Sequence, residues 1–461
     1  MAENKEITQA RDLIKVDNEL LENISVLIES KDAKSLLTIF SDIHTADIAE
    51  IINHLDVDEA TYVFELLPTE TAGEVITEID ENLREKILKE IDTKKIAHIV
   101  DELETDDATD IVSDLPDNIA EQVLRHIDKE YSEDVKELLK YEEDTAGGIM
   151  TTDFVYVNEN ATVQDAIDEV RKNAEEFEHI YHIYVLKETD ELVGYVLLKS
   201  LLLNPLSTKI LSIIEEDLFY VSPDTDQEEV ANTMEKYDLV VIPVVDEKKR
   251  MLGRITIDDV VDVIHEEASE DIQKLAGLSE EQESSDSVFR ISRIRLPWLI
   301  IAMLLELFNA IVLSNHEDLF QRLVLATFFI PVVMAVGGNS GTQAAIVMVR
   351  GLGTGDIWLN ETLKKIGKEF FVSILNGFVC SAVLLIASLI FFSDVTFKFA
   401  LIISIALFSI IIFATVVGAS IPVLLKKLKI DPAIATGPFV TTSNDIVGMI
   451  IYLSIISYFF L

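Results

Sequence analysis

Apolar positions follow two different patterns along this chain. Beyond about residue 295 they form long runs, at 296–314, 323–349, 370–392, 399–425 and 434–460. Each run is long enough to cross ~30 Å of hydrocarbon as a helix. Five in succession, with few charges between them, predict membrane spans rather than buried core helices. Upstream the apolar positions are interrupted. Residues 20–145 read as short helices in a repeating unit, at Asp42–Ile52, Leu66–Ile76, Ile91–Val100 and Leu115–Val123. Thr or Asp before each helix supplies an N-cap, and acidic residues fill the first turns. Stacked units of this kind predict a helical superhelix. Residues 151–270 hold a second internal repeat. Phe154–Val157, a helix at Thr162–Asn173, and the strands Ile183–Leu186 and Leu192–Val196 make one copy. Leu218–Val221, Asp226–Lys236, Val240–Val245 and Leu252–Ile255 make the other. Both read as βαββα.

Charge obeys the same division. The 461 residues carry 82 acidic and 37 basic side chains, a net of −45, yet 49% are hydrophobic and the mean hydropathy is +0.29. A disordered acidic chain would be far less apolar. Residues 290–461 hold 12 Lys/Arg and 9 Asp/Glu, a net of +3, so residues 1–289 carry −48. That sign argues against nucleic acid as a partner, because phosphates are repelled, and favours cations. The single cysteine, Cys380, excludes an intramolecular disulfide and a cysteine-rich zinc site. The N-terminus lacks a signal-peptide pattern, which places the acidic part in the cytosol. Ten basic residues, Arg290, Arg293, Arg295, Arg350, Lys364, Lys365, Lys368, Lys426, Lys427 and Lys429, fall on one side of the five spans, against Arg322 and Lys398 on the other. The positive-inside rule then predicts a plasma-membrane protein with a cytoplasmic N-terminus and an extracytoplasmic C-terminus.

Candidate chemistry in the spans is polar and oxygen-rich. Pro331 and Gly337–Gln343 predict an interruption in the second span. Asp431-Pro432, Gly437-Pro438 and Thr441–Asp445 predict another in the fifth. Such residues are costly against lipid and tolerated where helices pack closely or line water. Asp445, beside Asn444, Thr441, Thr442 and Ser443, reads as a cation site; an interhelical hydrogen-bonding role is the alternative. One aspartate is little charge for a divalent ion, and a symmetric dimer would supply two. Hard ions such as Mg²⁺ take oxygen ligands and keep several waters. Glu306 in the first span is a second candidate, with packing against a polar partner equally open. Asp431 sits after Lys426–Lys429, where helix capping and a cation contact are both open. Gly351–Gly355 has no preceding strand and no following Gly-Lys-Ser/Thr, so it reads as a loop joining two spans. No nucleophile, Walker or His-x-x-x-His motif is present, and no enzymatic activity is expected.

The run Ile242–Asp259, Ile-Pro-Val-Val-Asp through Leu-Gly-Arg-Ile-Thr-Ile-Asp-Asp, resembles a CBS domain, and the repeat as a whole resembles a tandem CBS pair. In many CBS pairs a Gly-x-x-Thr-x-x-Asp pattern holds the ribose of an adenine nucleotide. Gly253, Thr256 and Asp259 fit it, with turn and helix-cap chemistry as the alternative. The whole chain resembles the MgtE family of magnesium channels/transporters. The resemblance rests on Tyr141–Met150 entering the CBS pair, Gly337–Gln343, Asp431-Pro432-Ala433 and Gly437–Asp445. It implies an acidic helical domain at 1–148, CBS domains at 149–270, a connecting, plug-like helix at 271–295 and a five-helix transmembrane domain at 296–461. It implies a homodimer with Asp445 in the pore and Asn339, Thr342, Thr441, Thr442 and Asn444 lining it. It implies regulatory Mg²⁺ held in the cytosol by Glu74, Asp106, Asp110, Asp238, Asp259, Glu267, Glu270 and Asp271, with Asp431 at the cytoplasmic mouth. Mn²⁺ and Co²⁺ are further cargo that oxygen ligands admit. Two rival readings are a Na⁺- or H⁺-coupled divalent exchanger and a nucleotide-sensing membrane regulator without transport.

Overall fold

The computed structural model describes residues 16–174, 177, 179–215, 217–278, 288–353, 357, 361–433 and 438–460. Residues 1–15, 279–287 of the connecting segment, and the motif positions Thr354, Gly355 and Gly437 lie outside them. The chain divides into two units, Met1–His265 and Glu266–Leu461.

The first unit opens with α1 (Asn18–Glu29), α2 (Ala33–Phe40), α3 (Thr45–Asn53), α4 (Val57–Leu66), α5 (Thr69–Thr77), α6 (Glu81–Glu90), α7 (Thr93–Val100), α8 (Thr105–Ser113), α9 (Asp117–His126) and α10 (Lys129–Leu138). From α3 onward the helices begin at residues 45, 57, 69, 81, 93, 105, 117 and 129, a twelve-residue step. The structural repeat is therefore one helix, and the units read from the sequence recur at every second one. The units read from the sequence contain α3, α5, α7 and α9, and α4, α6, α8 and α10 alternate with them. Thr45, Thr69, Thr93 and Thr105 are the first helical residues rather than caps. The residue before them takes the cap where its side chain can turn back onto a free N–H. His44 Nδ1 accepts from Ala46 N at 3.3 Å, and Asp92 accepts from Lys94 N at 2.9 Å. Ile48, Ile51 and Ile52 of α3, and Ile96, Ile99 and Val100 of α7, are fully buried. This is the i, i+3, i+4 stripe of an amphipathic helix. Each such side chain contributes roughly 1.5–3 kcal/mol.

The CBS region begins with β1 (Tyr156–Asn158), α11 (Val163–Asn173), β2 (His182–Leu186), β3 (Leu192–Leu197) and α12 (Leu198–Leu203). β1 pairs parallel to β2, and β2 pairs antiparallel to β3. The second copy has α13 (Gln227–Tyr237), β4 (Val241–Val245) and β5 (Met251–Thr256), the two strands antiparallel. Its expected first strand is reduced to one parallel bridge, Val221 to Val244. Pro223, two residues on, has no N–H to extend the pairing. α14 (Ile257–Leu275) follows β5 and runs unbroken through residue 271. Gly277, at φ 80°, closes it, with Leu278 N donating to Gln273 O at 2.9 Å. This is glycine's left-handed role after a helix end.

The second unit holds α15 (Val288–Ser314), a short α16 (Glu317–Arg322), α17 (Val324–Gly353), α18 (Thr362–Phe391), α19 (Phe397–Lys427) and α20 (Pro438–Phe460). Five of these, all but α16, are long and apolar enough to cross a membrane. They turn Leu299, Leu304, Phe371, Leu375, Phe378 and Ile390 outward, a surface only lipid solvates without penalty. Among the described residues the interruptions expected at Pro331, Gly337–Gln343 and Thr441–Asp445 are absent, whereas Asp431 and Pro432 lie before α20. α17 continues through Pro331 and the glycine motif, and α20 through Thr441–Asp445. The glycines are needed for packing instead. A Cβ on Gly341 would strike the Asn444 amide, and one on Gly418 the backbone of Gly341.

Candidate cation sites

In the first unit, α8 brings its acidic N-terminal turn against the CBS region. Thr105 is buried and sets the position. Its N–H donates to Asp153 at 3.0 Å, and its Oγ1 accepts from Thr152 N at 2.8 Å. Arg254 of β5, almost wholly buried, donates to His179 O at 2.7 Å and lies 3.7 Å from Glu104. Asp106 and Asp107 then face Asp259 of α14 closely enough to feel its charge. Burial first, and Asp259 second, push both carboxyls up, Asp107 to about 7. Burial also pushes Asp259 up, to about 6, against hydrogen bonds from Thr256 that pull it down. Asp106 Oδ1 is sealed from solvent with no hydrogen-bond donor. Carboxylates crowded this way, with an orphaned oxygen, fit a hard cation. No three acidic or imidazole groups among the described residues close on one point tightly enough to enclose a bare ion.

Of the other cytosolic candidates, Asp110 is exposed and its charge reaches Asp107. Glu74 is exposed on α5. Asp238 is exposed too, at φ 52°, and ends α13. Two positions absent from the sequence reading join the interface. Asp107 lies in the charge run Glu102–Asp110, a pattern that by sequence alone reads as a solvated face. Glu78, just after α5, faces Asp262 of α14, and burial followed by that charge raises its carboxyl. Gly253, Thr256 and Asp259 all have structural work. A Cβ on Gly253 would strike Thr151 O, and Thr256 Oγ1 donates to Asp259 at 2.6 Å.

In the second unit, Glu267, Glu270 and Asp271 lie on α14. Lys274 Nζ donates to Glu270 and to Asp431, each at 2.7 Å. Asp431 also caps Ala433 N at 2.8 Å, and Asp271 is near enough to feel its charge. Asp431 therefore makes a cap contact and an ion pair with the Lys274 ammonium. Deeper in the bundle, Asp445 is half-buried and stands over Gly338 of α17. Thr442 and Asn444 are buried, Thr342 is half-buried, and Asn339 and Thr441 are exposed. Ser340 and Thr415 share a 2.7 Å hydrogen bond that ties α17 to α19.

Three family models cover most of the chain. The MgtE divalent cation transporter model matches residues 330–455, the MgtE intracellular N domain model matches 43–144, and the CBS domain model matches 146–206 and 210–266. The magnesium transporter MgtE of Bacillus subtilis (strain 168) is 36% identical over 328 residues, 71% of this chain and 72% of that protein. The chain belongs to the MgtE family. The MgtE protein of Thermus thermophilus is likewise 36% identical, over 70% of this chain and 71% of its own length. A crystal structure of the cytosolic domain of the Mg²⁺ channel MgtE in complex with ATP is 33% identical, with a TM-score of 0.50, covering 53% of this chain and all of that one. This MgtE protein is thus a multi-pass membrane protein with a helical N-terminal domain and a CBS pair.

One pH dependence follows from the CBS region of this MgtE chain. His182 stacks on Tyr195 at 4.2 Å between ring centroids. Burial, then the Arg254 guanidinium, push its imidazole down to about 4 from 6.5. The unfolded chain therefore binds more protons between these values. Stability is complete above pH 6.5 and falls as the pH drops towards 4, by up to about 3 kcal/mol. His182→Phe should flatten that limb in calorimetric unfolding of the detergent-purified chain. Equal slopes in the two proteins would reject the assignment.

Proposed function

We propose that this protein is a passive Mg²⁺ channel that imports the ion and is closed by cytosolic Mg²⁺. The N-terminus is cytoplasmic, the C-terminus extracytoplasmic, and two copies form a homodimer with the pore at their shared axis. Asp445 draws the ion into the spans. The observation that carries the regulatory part is the meeting of Asp106 and Asp107 with Asp259 around an oxygen without a donor. These three carboxylates repel one another, so without a cation they favour separation of α8 from α14. A bound Mg²⁺ supplies the positive charge that cancels this repulsion. Asp106, Asp107 and Asp259 would hold it, with Asp110 at the margin, and Glu78 with Asp262 would make a second contact. Binding better to the closed arrangement is sufficient to populate it. α14 carries Asp259 near its start and Glu270 and Lys274 near its end. One helix therefore joins the sensing carboxylates to the Asp431 contact. Moving the population from 1:99 to 99:1 takes ~5.5 kcal/mol, a sum that several weak sites reach together.

The cytosolic-domain relative solved with ATP supports an adenine nucleotide as a second ligand of the CBS pair here. The coupled exchanger is favoured by one observation, the closeness of Glu306 to Asp445 in the spans. The deciding experiment is flux in proteoliposomes against Mg²⁺, Mn²⁺ and Co²⁺, with and without internal Mg²⁺. Uptake that follows voltage, needs no Na⁺ or H⁺ gradient, and falls with internal Mg²⁺ is expected. Uptake that needs a counter-ion gradient would establish the exchanger. No uptake would leave the nucleotide-sensing regulator.

A further inference from the structure

The acidic first turn of α8 is joined to the CBS region by contacts that contain no ion. Thr105 and Thr151 are both fully buried. Thr105 Oγ1 accepts from Thr152 N at 2.8 Å and from Thr152 Oγ1 at 3.0 Å. Its own proton therefore goes to Thr151 Oγ1, 3.1 Å away. Thr151 Oγ1 in turn accepts from Asp153 N at 3.3 Å and donates to Asp153 Oδ2 at 3.2 Å. The same Oδ2 accepts from Thr105 N at 3.0 Å. A hydroxyl offers one proton and two lone pairs, and both of these hydroxyls use all three. Thr151 is itself fixed to β5, exchanging backbone hydrogen bonds with Arg254 at 2.9 Å in each direction. Two residues further along β5, Thr256 donates to Asp259 at 2.6 Å, so the joint sets the acidic turn beside the strand end that holds Asp259. From the helical side, Tyr131 of α10 donates to Leu103 O at 2.6 Å and fixes the backbone that leads into α8.

Charge acts in the same direction. Arg254 is almost wholly buried and leaves Nε and Nη2 without a hydrogen-bond acceptor. Its guanidinium is permanently protonated, and Nη2 lies 3.7 Å from Glu104, the residue before Thr105. A buried guanidinium short of acceptors is stabilised by a carboxylate brought near it. It attracts the acidic turn, whereas Asp259 repels it. We propose that Thr105 and Arg254 are positioning residues of the cation sensor, keeping the turn that carries Asp106 and Asp107 docked on the CBS region when no divalent ion is bound. The sensing site is then assembled before the ion arrives. A site assembled in only a fraction of the molecules has its affinity reduced by that fraction, so the joint lowers the Mg²⁺ concentration needed for closure. This role presupposes the regulatory reading given above and refines it: the repulsion among the carboxylates is opposed from within the chain as well as by the ion.

The test uses full-length, detergent-purified wild type, Thr105→Val, Thr105→Ser and Arg254→Leu. Valine keeps the shape of Thr105 and removes its hydroxyl. Hydrogen–deuterium exchange of the amides of residues 104–106 and 151–153, in EDTA and in Mg²⁺, reads the joint directly. Proteoliposome flux over a series of internal Mg²⁺ concentrations, relative to each variant's own flux without internal Mg²⁺, reads the sensor. Wild type should protect these amides equally in EDTA and in Mg²⁺. Thr105→Val should lose about tenfold of that protection in EDTA and need about tenfold more Mg²⁺ for half-inhibition, the scale of one buried hydrogen bond. Thr105→Ser should match wild type in both, and Arg254→Leu, which removes the buried charge, should also need more Mg²⁺. Loss of wild-type protection on adding EDTA would mean that the ion makes the joint, and the proposal falls. An unchanged half-inhibiting concentration in Thr105→Val overturns it equally. Should that variant fail to fold, the wild-type comparison of EDTA with Mg²⁺ still decides. If wild type carries no flux, the transport reading fails, while the same exchange comparison decides whether the joint holds without an ion.

Discussion

Asp445→Asn is expected to lower Mg²⁺ uptake roughly a hundredfold, the ~3 kcal/mol scale of one charge at the centre of a span. The substitution keeps the size of the side chain and its place over Gly338, so packing against α17 should survive. What is lost is the charge that offsets dehydration of the ion. Uptake into proteoliposomes at saturating outside Mg²⁺ checks the rate, and size-exclusion chromatography with thermal unfolding checks the fold. Near-wild-type uptake in a well-folded variant would remove Asp445 from the conduction path. It would leave an interhelical hydrogen bond as its role.

The second large effect concerns closure. Asp106→Asn, Asp107→Asn and Asp259→Asn together should abolish inhibition by internal Mg²⁺ over at least about a hundredfold range of concentration, since ~3 kcal/mol of differential binding corresponds to two decades. The unliganded variant should also unfold at a higher temperature than wild type, because three facing charges are gone. In wild type, by contrast, added Mg²⁺ is expected to close the channel and to raise the unfolding temperature together. Asp107 matters most to this test. Thr105 is pinned to Thr152 and Asp153, which holds the backbone of the acidic first turn of α8 beside the CBS region. Inhibition retained in the triple variant would move the sensor elsewhere, with Glu78 and Asp262 the next pair to neutralise.

Legibility differed by element. The five spans could be read directly, because a run of twenty apolar residues has few other destinies. The CBS copies could be read from the twice-repeated βαββα order and from the motif run Ile242–Asp259. The twelve-residue step of the helical domain was harder. α3, α5 and α7 open on Thr45, Thr69 and Thr93, whereas α4, α6 and α10 open on Val57, Glu81 and Lys129 and do not advertise the pattern. Interruptions expected in α17 and α20 proved to be continuous helix. Glycine and hydroxyl residues mark both a broken helix and a closely packed one, and only the neighbours Ala414, Gly418 and Asn444 distinguish the two.

Sequence was enough for the division of the chain into a −48 part and a near-neutral apolar part, for the CBS repeat, and for Asp445 as an intramembrane carboxylate. Charge and hydropathy are sums over residues, and motifs are local in the chain. Which charges meet is not local. Asp106 and Asp107 reach Asp259 across about 150 residues of chain, and Glu306 reaches Asp445 across nearly as many. A carboxylate on a solvated face and one facing another carboxylate are the same letter. Their difference is the burial and the field that packing creates, and so the partners of Asp259, Asp431 and Asp445 were decided by tertiary structure alone.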